Sequence, residues 1–338
     1  MDNIFEYHNS FEKNDAFPSN LIWGDYANCP NPVVSIIIPT YKRLDTLETS
    51  FRSALSQDCS FEYEIVLVDN NPDAEDSSVL KIVESFNAKN VFYYRNVKNL
   101  GMLGNWNRGI ELSRGEFITY CHDDDVLLPN ALSHLVSVKR KVGDKCILVK
   151  MNMMDAEGNL TYKYPYPKAI LKGFLVEREY YNYSLFDQFL GSQGFGVGCL
   201  YDRKHLMEIG GYNETYYPSA DYAMHCAYTR KFGCVLSNVP TFNYRIAVNE
   251  SSTVYKDFVK RDYFFRECMS EHIPIPSFLL RKLNDALFRV KTIQHKRVWG
   301  HTIESDPQKK DLRFISFMSF FHKIKSYRLR AHPISMHK

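Results

Sequence analysis

The stretch Phe117–Asp125 (FITYCHDDD) joins a short apolar run to three successive aspartates. The run Phe117–Cys121 consists of apolar, aromatic and β-branched side chains, a composition that is typical of a buried strand. Only His122 separates this run from the aspartates. We therefore predict that Asp123, Asp124 and Asp125 lie at the end of a buried strand.

Outward from this stretch, short apolar runs alternate with segments that have helical spacing. The runs predict strands over Val33–Ile38 (closed by Pro39), 64–68, 91–95, 117–121 and 146–151. The spacing predicts helices over 44–57, 77–87, 102–113, 130–141, 203–209 and Tyr222–Lys231, and further helices from about residue 257. Such alternation predicts an α/β fold with a doubly wound, mainly parallel sheet flanked by helices, followed by a helical C-terminal extension.

Polar clusters follow three of the predicted strands directly. They are Thr40–Arg43, Asp69–Asp73 and His122–Asp125. Ligands of doubly wound sheets bind beyond the carboxyl ends of the strands. The three clusters therefore predict a single site at that edge of the sheet.

The aspartate triplet has two interpretations when it is taken alone. Like charges so close together repel and raise one another's pKa values, and a divalent cation resolves that conflict. Carboxylate ligands favour Mg²⁺ or Mn²⁺, with substrate phosphates completing the coordination. The other interpretation is a solvated acidic turn or helix cap.

Asp221 is a second carboxylate with two readings. It precedes the predicted helix Tyr222–Lys231, so it is either an N-cap or a general base beside the metal site. The segment Gly191–Gly198 carries four glycines in eight residues. It predicts a loop, or a close approach of the backbone to a ligand.

Composition and cysteine spacing indicate a folded intracellular protein. The chain has 338 residues, 45% of them hydrophobic, which allows one large α/β domain with an appendage. None of the eight cysteines forms a C-x-x-C pair, so we expect free thiols in a reducing cytoplasm. We see no signal-peptide pattern and no apolar run of the roughly 18 residues that span a bilayer.

Positive charge is concentrated near the C-terminus. From Arg281 onward there are 14 Lys or Arg and 4 Asp or Glu, whereas the net charge of the whole chain is +3. The segment Leu312–Arg330 mixes basic and aromatic residues at helical spacing, which suits an anionic membrane surface on the cytoplasmic side. Packing against its own domain or a second subunit is the alternative. Nucleic-acid binding is not expected, because the rest of the chain is acidic and no recognised module occurs.

Five blocks of the chain resemble family 2 glycosyltransferases in order and spacing. They are Val33–Arg43 (VVSIIIPTYKR), Glu64–Asp69 (EIVLVD), Asn99–Asn107 (NLGMLGNWN), Arg114–Pro129 (RGEFITYCHDDDVLLP) and Gly210–Asp221 (GGYNE…AD). The resemblance covers roughly residues 33–250. It implies a GT-A fold, a UDP-sugar donor and an inverting, metal-dependent transfer.

The sequence and the resemblance together predict a domain division. Residues 1–31 lack clear periodicity and predict an N-terminal leader packed on the surface, and the resemblance implies a GT-A domain over 32–250. That domain would have a nucleotide-binding half (32–129) and an acceptor-binding half (130–250). A basic helical region would follow over 251–338.

Roles follow from the resemblance position by position. It implies that Pro39, Thr40, Tyr41 and Asp69 hold the nucleotide, and that Asp124 is the principal metal ligand with Asp125 beside it. Asp123 is implied to lie on the ribose or the waters of the metal, and Asp221 to be the catalytic base. The further donor-binding residues that we expect are Arg43, Asn70, Gly101, Asn107 and Arg245. The chain departs from the family pattern at His122, in the first place of the D-x-D-D motif, and at Ala247, where a metal-binding histidine often stands.

The expected activity is transfer of a hexose or N-acetylhexosamine from a UDP-sugar to a glycan or lipid-linked glycan acceptor. Two other functions fit the same fold. A sugar nucleotidyltransferase usually has a glycine-rich loop after the first strand, and Pro39–Leu44 has no glycine. A non-catalytic glycan-binding protein would tolerate the loss of Asp124 or Asp221, and both are present.

Overall fold

The structure is a computed structural model that describes residues 3–73, 75–164, 179–191, 196–246, 254–298 and 307–330. The chain divides into two compact units, which are residues 1–184 with 193–249, and residues 185–192 with 250–338. Residues 192–195 of the Gly191–Gly198 segment lie outside the described residues, as does Ala247.

The elements follow the predicted order. The strands are β1 (Ser19–Trp23), β2 (Val34–Thr40), β3 (Tyr63–Asp69), β4 (Val91–Asn96), β5 (Phe117–Tyr120), β6 (Val126–Leu127), β7 (Cys146–Val149), β8 (Asn152–Met154), β9 (Leu160–Tyr162), β10 (Tyr180–Asn182), β11 (Tyr201–Asp202), β12 (Cys234–Ser237) and β13 (Phe242–Arg245). The helices are α1 (Glu12–Asp15), α2 (Leu44–Leu55), α3 (Ser78–Phe86), α4 (Gly101–Leu112), α5 (Ala131–Val142), α6 (Leu185–Leu190), α7 (Arg203–Glu208), α8 (Ala220–Phe232), α9 (Tyr255–Ser270), α10 (Ser277–Val298) and α11 (Lys309–Arg330).

The main sheet has the strand order β1-β4-β3-β2-β5-β11. The inner pairs β4-β3, β3-β2 and β2-β5 are parallel, while β1 and β11 pair antiparallel at the two edges. Every residue of β2 is buried, as its β-branched composition predicts for a central strand. Smaller sheets, β10-β12-β7 and β6-β13-β8-β9, lie in the same unit. The predicted α/β fold with a mainly parallel sheet is confirmed.

Pro39 marks the place where β5 separates from β2. It lies inside β2, which continues to Thr40, and does not close the strand as expected. The last bond between the two strands runs from the Cys121 amide to the Ile37 carbonyl, at 2.9 Å. The next residue of β2 that faces β5 is Pro39, which has no N–H to extend the ladder. Residues 122–125 therefore leave the sheet.

The N-terminal leader contributes to the sheet as well as covering its surface. Its strand β1 pairs with the edge strand β4, with Leu21 opposite Tyr94. Asn14 is buried and donates to the Gly104 carbonyl of α4 at 3.0 Å. The leader thus removes one exposed edge of the main sheet.

The second unit is helical, as predicted for the C-terminal region. Arg266 of α9 is fully buried, and it donates to the Phe189 carbonyl at 3.0 Å and to Asn284 Oδ1 at 3.3 Å. A bidentate pair between Arg289 and Asp311 joins α10 to α11. Among the helices that the structure describes, none has the length and apolar character that a bilayer crossing requires.

Candidate active site

The polar clusters at the ends of β2, β3 and β5 meet at one edge of the sheet. Thr40 Oγ1 donates to Asp123 Oδ2 at 2.9 Å, and the Asn70 amide donates to the Thr40 carbonyl at 2.9 Å. Thr40 also lies opposite Asp69 in the β2–β3 register. The carboxyl ends of these parallel strands therefore assemble the site that their sequences predict.

Arg43 supplies positive charge beside the first two aspartates. Its guanidinium donates to Asp123 Oδ1 at 3.3 Å and forms an ion pair with Asp124. The Arg43 side chain is 46% exposed and that of Asp124 is 18% exposed. Asp124 is therefore partly accessible to solvent, and its partner Arg43 is more exposed than it is.

Asp125 is held from behind. The Arg245 amide donates to Asp125 Oδ1 at 2.9 Å, and Arg245 Nε donates to the Asp124 carbonyl at 2.8 Å. The same guanidinium reaches the Ala156 carbonyl at 2.7 Å. Arg245 was expected to bind the donor, but its buried side chain holds the aspartate loop through main-chain acceptors. These hydrogen bonds position the aspartate loop.

His122 lies close to the aspartates, although no role was predicted for it. A ring nitrogen of His122 and carboxylate oxygens of Asp124 and Asp125 lie within 4.8 Å of one another. The imidazole stacks on Trp106 of α4, with ring centroids 4.8 Å apart. The signal in the sequence was its place at the start of the acidic motif.

Burial dominates the electrostatics of this cluster. It raises the pKa of Asp123 to about 6, with Arg43 lowering and Asp124 raising that value, and it raises the pKa of Asp125 well above the usual range. Burial also lowers the pKa of His122 to about 4, so the imidazole is neutral at pH 7. A cation beside the carboxylates would favour their charged forms.

The donor atoms of the cluster fit a divalent cation. Asp125 is fully buried, and its Oδ2 has no hydrogen-bond partner among the described residues. The same holds for Nε2 of His122 within that part of the chain. An unsatisfied buried acceptor is costly, and a metal ion beside Asp125 Oδ2 would satisfy it.

Asp69 and Asn70 shape the neighbouring strand end. Asp69 is buried, accepts from Tyr93 OH at 3.0 Å and from the Asn71 amide at 2.9 Å, and burial raises its pKa. Asn70 Oδ1 accepts from the Leu100 amide at 2.8 Å, and its Nδ2 donates to the Gly101 carbonyl at 3.1 Å. These bonds fix the start of α4 against the site.

Asn107, which was predicted to bind the donor, uses its side-chain amide within the protein. Its side chain is fully buried in α4. The amide donates to the Tyr212 carbonyl at 2.9 Å and accepts from the Tyr212 amide at 2.8 Å. Both ends of the amide are therefore used to join α4 to the turn before Tyr212.

Tyr41 and Asp221, two further predicted site residues, differ in their surroundings. Tyr41 follows β2 and is 46% exposed, so its ring is accessible for stacking. Asp221 was expected to precede α8, but the helix begins at Ala220 and Asp221 lies in its first turn. Burial, Tyr120 and the Asp221 charge together raise the pKa of Tyr212. Asp221 is therefore near Tyr212, whose ring packs edge-on against Trp106.

Comparison with known proteins identifies the family. The model of glycosyl transferase family 2 matches residues 35–210, which is just over half of the chain. The chain therefore belongs to glycosyl transferase family 2.

Two bacterial relatives match parts of the chain. It is 29% identical over 190 residues to the GalNAc(5)-diNAcBac-PP-undecaprenol beta-1,3-glucosyltransferase of Campylobacter jejuni, covering 55% of this chain and 56% of that protein. It is 32% identical over 112 residues to the putative colanic acid biosynthesis glycosyl transferase WcaA of Escherichia coli, covering 32% and 39%. The chain thus spans little more than half, or less, of the length of these relatives.

Solved structures of S. aureus TarS share the fold. TarS 1–349 superposes with a TM-score of 0.56 at 16% identity, over 83% of this chain and 77% of that one. TarS 1–349 in complex with UDP-GlcNAc gives a TM-score of 0.53 at 17% identity, over 78% and 72%. These likenesses confirm the predicted GT-A fold.

Proposed function

We propose that this chain transfers a hexose or N-acetylhexosamine from a UDP-sugar to a hydroxyl of a glycan acceptor, with inversion at the anomeric carbon. The observation that carries the proposal is the meeting of Thr40, Asp69 and the loop Asp123–Asp125 at one edge of the sheet. Membership of glycosyl transferase family 2 supports it.

The donor end of the site is assigned to Pro39, Thr40, Tyr41 and Asp69. Tyr41 offers an exposed ring for a base, and Asp69 is a buried carboxylate one strand away. Asn70 and Gly101 shape the adjoining turn through their hydrogen bond. The complexes of TarS with UDP and UDP-GlcNAc support a uridine diphosphate donor.

Asp124 and Asp125 are assigned to a divalent cation, Mn²⁺ or Mg²⁺. When bound, such an ion stabilises negative charge on the diphosphate as a Lewis acid. Asp123 binds Thr40 and so connects the metal loop to the donor end. Arg43 is assigned to the diphosphate, because it faces the same loop and is free to reorient where it is exposed.

Asp221 is assigned as the general base. The acceptor hydroxyl must lose a proton as its oxygen attacks the anomeric carbon, and a carboxylate within reach accepts it. The N-terminal end of a helix stabilises a nearby negative charge, and Asp221 occupies the first turn of α8. Attack opposite the leaving UDP inverts the configuration, so no covalent intermediate with the protein is required.

The acceptor is proposed to be a lipid-linked glycan at the inner face of the membrane. The name of the C. jejuni relative specifies an undecaprenyl diphosphate-linked acceptor, and that of the E. coli relative specifies colanic acid biosynthesis. In α11, Lys309, Arg313, Phe317 and Phe320 are exposed at helical spacing. A basic and aromatic helix face of this kind suits an anionic bilayer.

The direct test is UDP release from a panel of UDP-sugars, with Mn²⁺ and then with EDTA. We expect slow metal-dependent hydrolysis of one donor, abolished by Asp124→Asn. With acceptor present, Asp221→Asn should lower kcat by at least about 100-fold. Asp144→Asn, on an exposed surface aspartate, is the matched control.

The alternatives predict other results. A nucleotidyltransferase would release pyrophosphate and not UDP. A glycan-binding protein would release neither and would bind glycan equally well in both variants. Full activity of Asp124→Asn and of Asp221→Asn would refute the assigned roles.

A further inference from the structure

His122 differs chemically from the other candidate ligands of the cluster. Asp124 and Asp125 offer hard carboxylate oxygens, while His122 offers an imidazole nitrogen within 4.8 Å of them. An ion with metal–ligand bonds of about 2.1 Å would bridge that span after a shift of a few tenths of an ångström.

The surroundings of His122 aim its ring at the cluster. Trp106 stacks on one face of the imidazole, at 4.8 Å between centroids and 30° between planes. Nδ1 lies 3.9 Å from Asp125 Oδ2, which is too long for a hydrogen bond. Within the described residues, neither that carboxylate oxygen nor Nε2 of His122 has a hydrogen-bond partner.

Hydrogen bonding also orients the carboxylate of Asp125 toward His122. Its Oδ1 accepts from the Arg245 amide at 2.9 Å, which turns Oδ2 toward His122. Asp125 is fully buried, so water does not reach this oxygen. A buried carboxylate oxygen that faces an imidazole nitrogen is stabilised by a cation placed between them.

We propose that His122 supplies a nitrogen ligand to the divalent cation and so biases the site toward Mn²⁺ over Mg²⁺, with Trp106 as the residue that orients the ring. Imidazole suits transition metals, whereas Mg²⁺ prefers oxygen ligands in a near-ideal octahedron. The inference rests on the proposed metal site at Asp124 and Asp125, but it concerns which ion that site selects.

Electron spin-echo spectroscopy of bound Mn²⁺ tests the ligand directly, on the whole chain without donor or acceptor. We expect ¹⁴N modulation from a coordinated imidazole in the wild type. Protein grown with ¹⁵N-histidine should show the ¹⁵N pattern instead, which requires no mutation and no assumption about folding. The modulation should vanish in His122→Asn and persist in His8→Asn, on an exposed histidine.

Metal titrations test the selectivity. In His122→Asp, the ratio of Mn²⁺ to Mg²⁺ affinity should fall by about 10-fold or more, since even indirect partners of metal ligands change affinity by that amount. Trp106→Ala should lower Mn²⁺ affinity while Trp106→Phe, which keeps a ring against His122, should largely retain it.

The outcomes separate the two proposals. Tight Mn²⁺ binding without nitrogen modulation, or with modulation unchanged in His122→Asn, overturns the role of His122 and leaves the carboxylate metal site intact. Absence of Mn²⁺ binding in the wild type overturns both the ligand and the metal site, and UDP-sugar binding measured in EDTA then decides whether the donor site stands.

Discussion

Arg43 is the residue whose position bears most directly on how a metal enters the site. Its guanidinium forms ion pairs with Asp123 and Asp124, the carboxylates that a bound metal ion would neutralise. A cation that binds Asp124 must therefore compete with Arg43 or displace it toward the donor. The competition is modest, because exposed ion pairs contribute only about 0.2–1 kcal/mol.

We predict that Arg43→Met raises Mn²⁺ affinity in the absence of nucleotide by up to about 5-fold, which corresponds to that range. The same variant should lower turnover of the donor, because a positive charge near the diphosphate is lost. Isothermal titration and UDP release measure the two effects. Lys42→Met is the control, since it removes a neighbouring charge without a described carboxylate contact. Unchanged or weaker Mn²⁺ binding in Arg43→Met would contradict the competition.

The sequence predicts a residue of this site only where its position along the chain, directly after a strand, indicates its role. Asp123–Asp125 could be predicted because they follow a strand directly. The place of His122 depends on Trp106, which a different helix supplies. The bond from the Asn107 amide to the main chain of Tyr212, 105 residues away, could not be predicted either. Contacts of that separation leave no periodic trace in one sequence.

Helix α8 carries a histidine whose ionisation opposes folding. His225 is fully buried, burial lowers its pKa to about 3, and Tyr201 OH lies 2.7 Å from Nε2. The pKa in the unfolded chain is about 6.5. Because the folded value is depressed, the unfolded chain binds the extra proton first. The stability is therefore complete above about pH 6.5 and is lost as the pH falls toward 3.

We predict that His225→Gln reduces this acid sensitivity. Between pH 6 and 4 the wild type should lose about 1 kcal/mol more of unfolding free energy per pH unit than the variant. Glutamine retains a polar partner for Tyr201, so a general packing loss should appear at pH 8 as a constant offset. Urea unfolding across pH measures the slope, with His8→Gln as a surface control. Parallel slopes would refute the assignment.

Helix α11 allows a test of membrane attachment at a single face. We predict that the wild type co-floats with vesicles containing phosphatidylglycerol and that salt weakens the binding. Phe317→Ser with Phe320→Ser should lower partitioning by about 10-fold or more, since burying each ring contributes about 1.5–3 kcal/mol. Phe278→Ser, on an equally exposed ring of α10, should change it little. Equal binding to neutral vesicles would contradict the proposal.

The helices and strands could be predicted where the hydrophobic pattern of their sequence was strong. The buried strands β2–β5 and helices α2–α5 begin and end within two residues of the expected bounds. The edge strand β1 was missed because its middle residues are exposed and carry no clean alternation. The short strands of the two smaller sheets have two to four residues, too few for a period to appear.

At the scale of the first unit, the leader connects distant parts of the fold. Its β1 pairs with β4, and Arg108 of α4 donates to the Asn14 and Phe17 carbonyls at 2.7 and 2.8 Å. The Ser10 amide donates to the Gly210 carbonyl at 3.0 Å. The leader therefore spans the sheet edge, α4 and the turn after α7, which the expectation of a surface layer did not include.

Gly210 is a position where an added side chain would disturb the contact between the leader and the turn after α7. It has a φ of +88°, and a Cβ there would lie 1.9 Å from the His8 carbonyl oxygen. Gly143 has a similar φ of +66° but nothing within 4 Å of such a Cβ. Alanine at either position carries the backbone cost of a positive φ, about 1–3 kcal/mol. Only Gly210→Ala must also displace the leader.

We therefore predict that Gly143→Ala costs about 1–3 kcal/mol of unfolding free energy, and that Gly210→Ala costs at least about 2 kcal/mol more. Limited proteolysis should cut residues 3–23 in Gly210→Ala and spare them in Gly143→Ala, because a displaced leader exposes its backbone. Urea unfolding and mass spectrometry of the fragments measure both effects. Equal costs and equal protection would mean that the leader adapts to the added methyl group, and that its contact with the turn contributes little to holding it on the sheet.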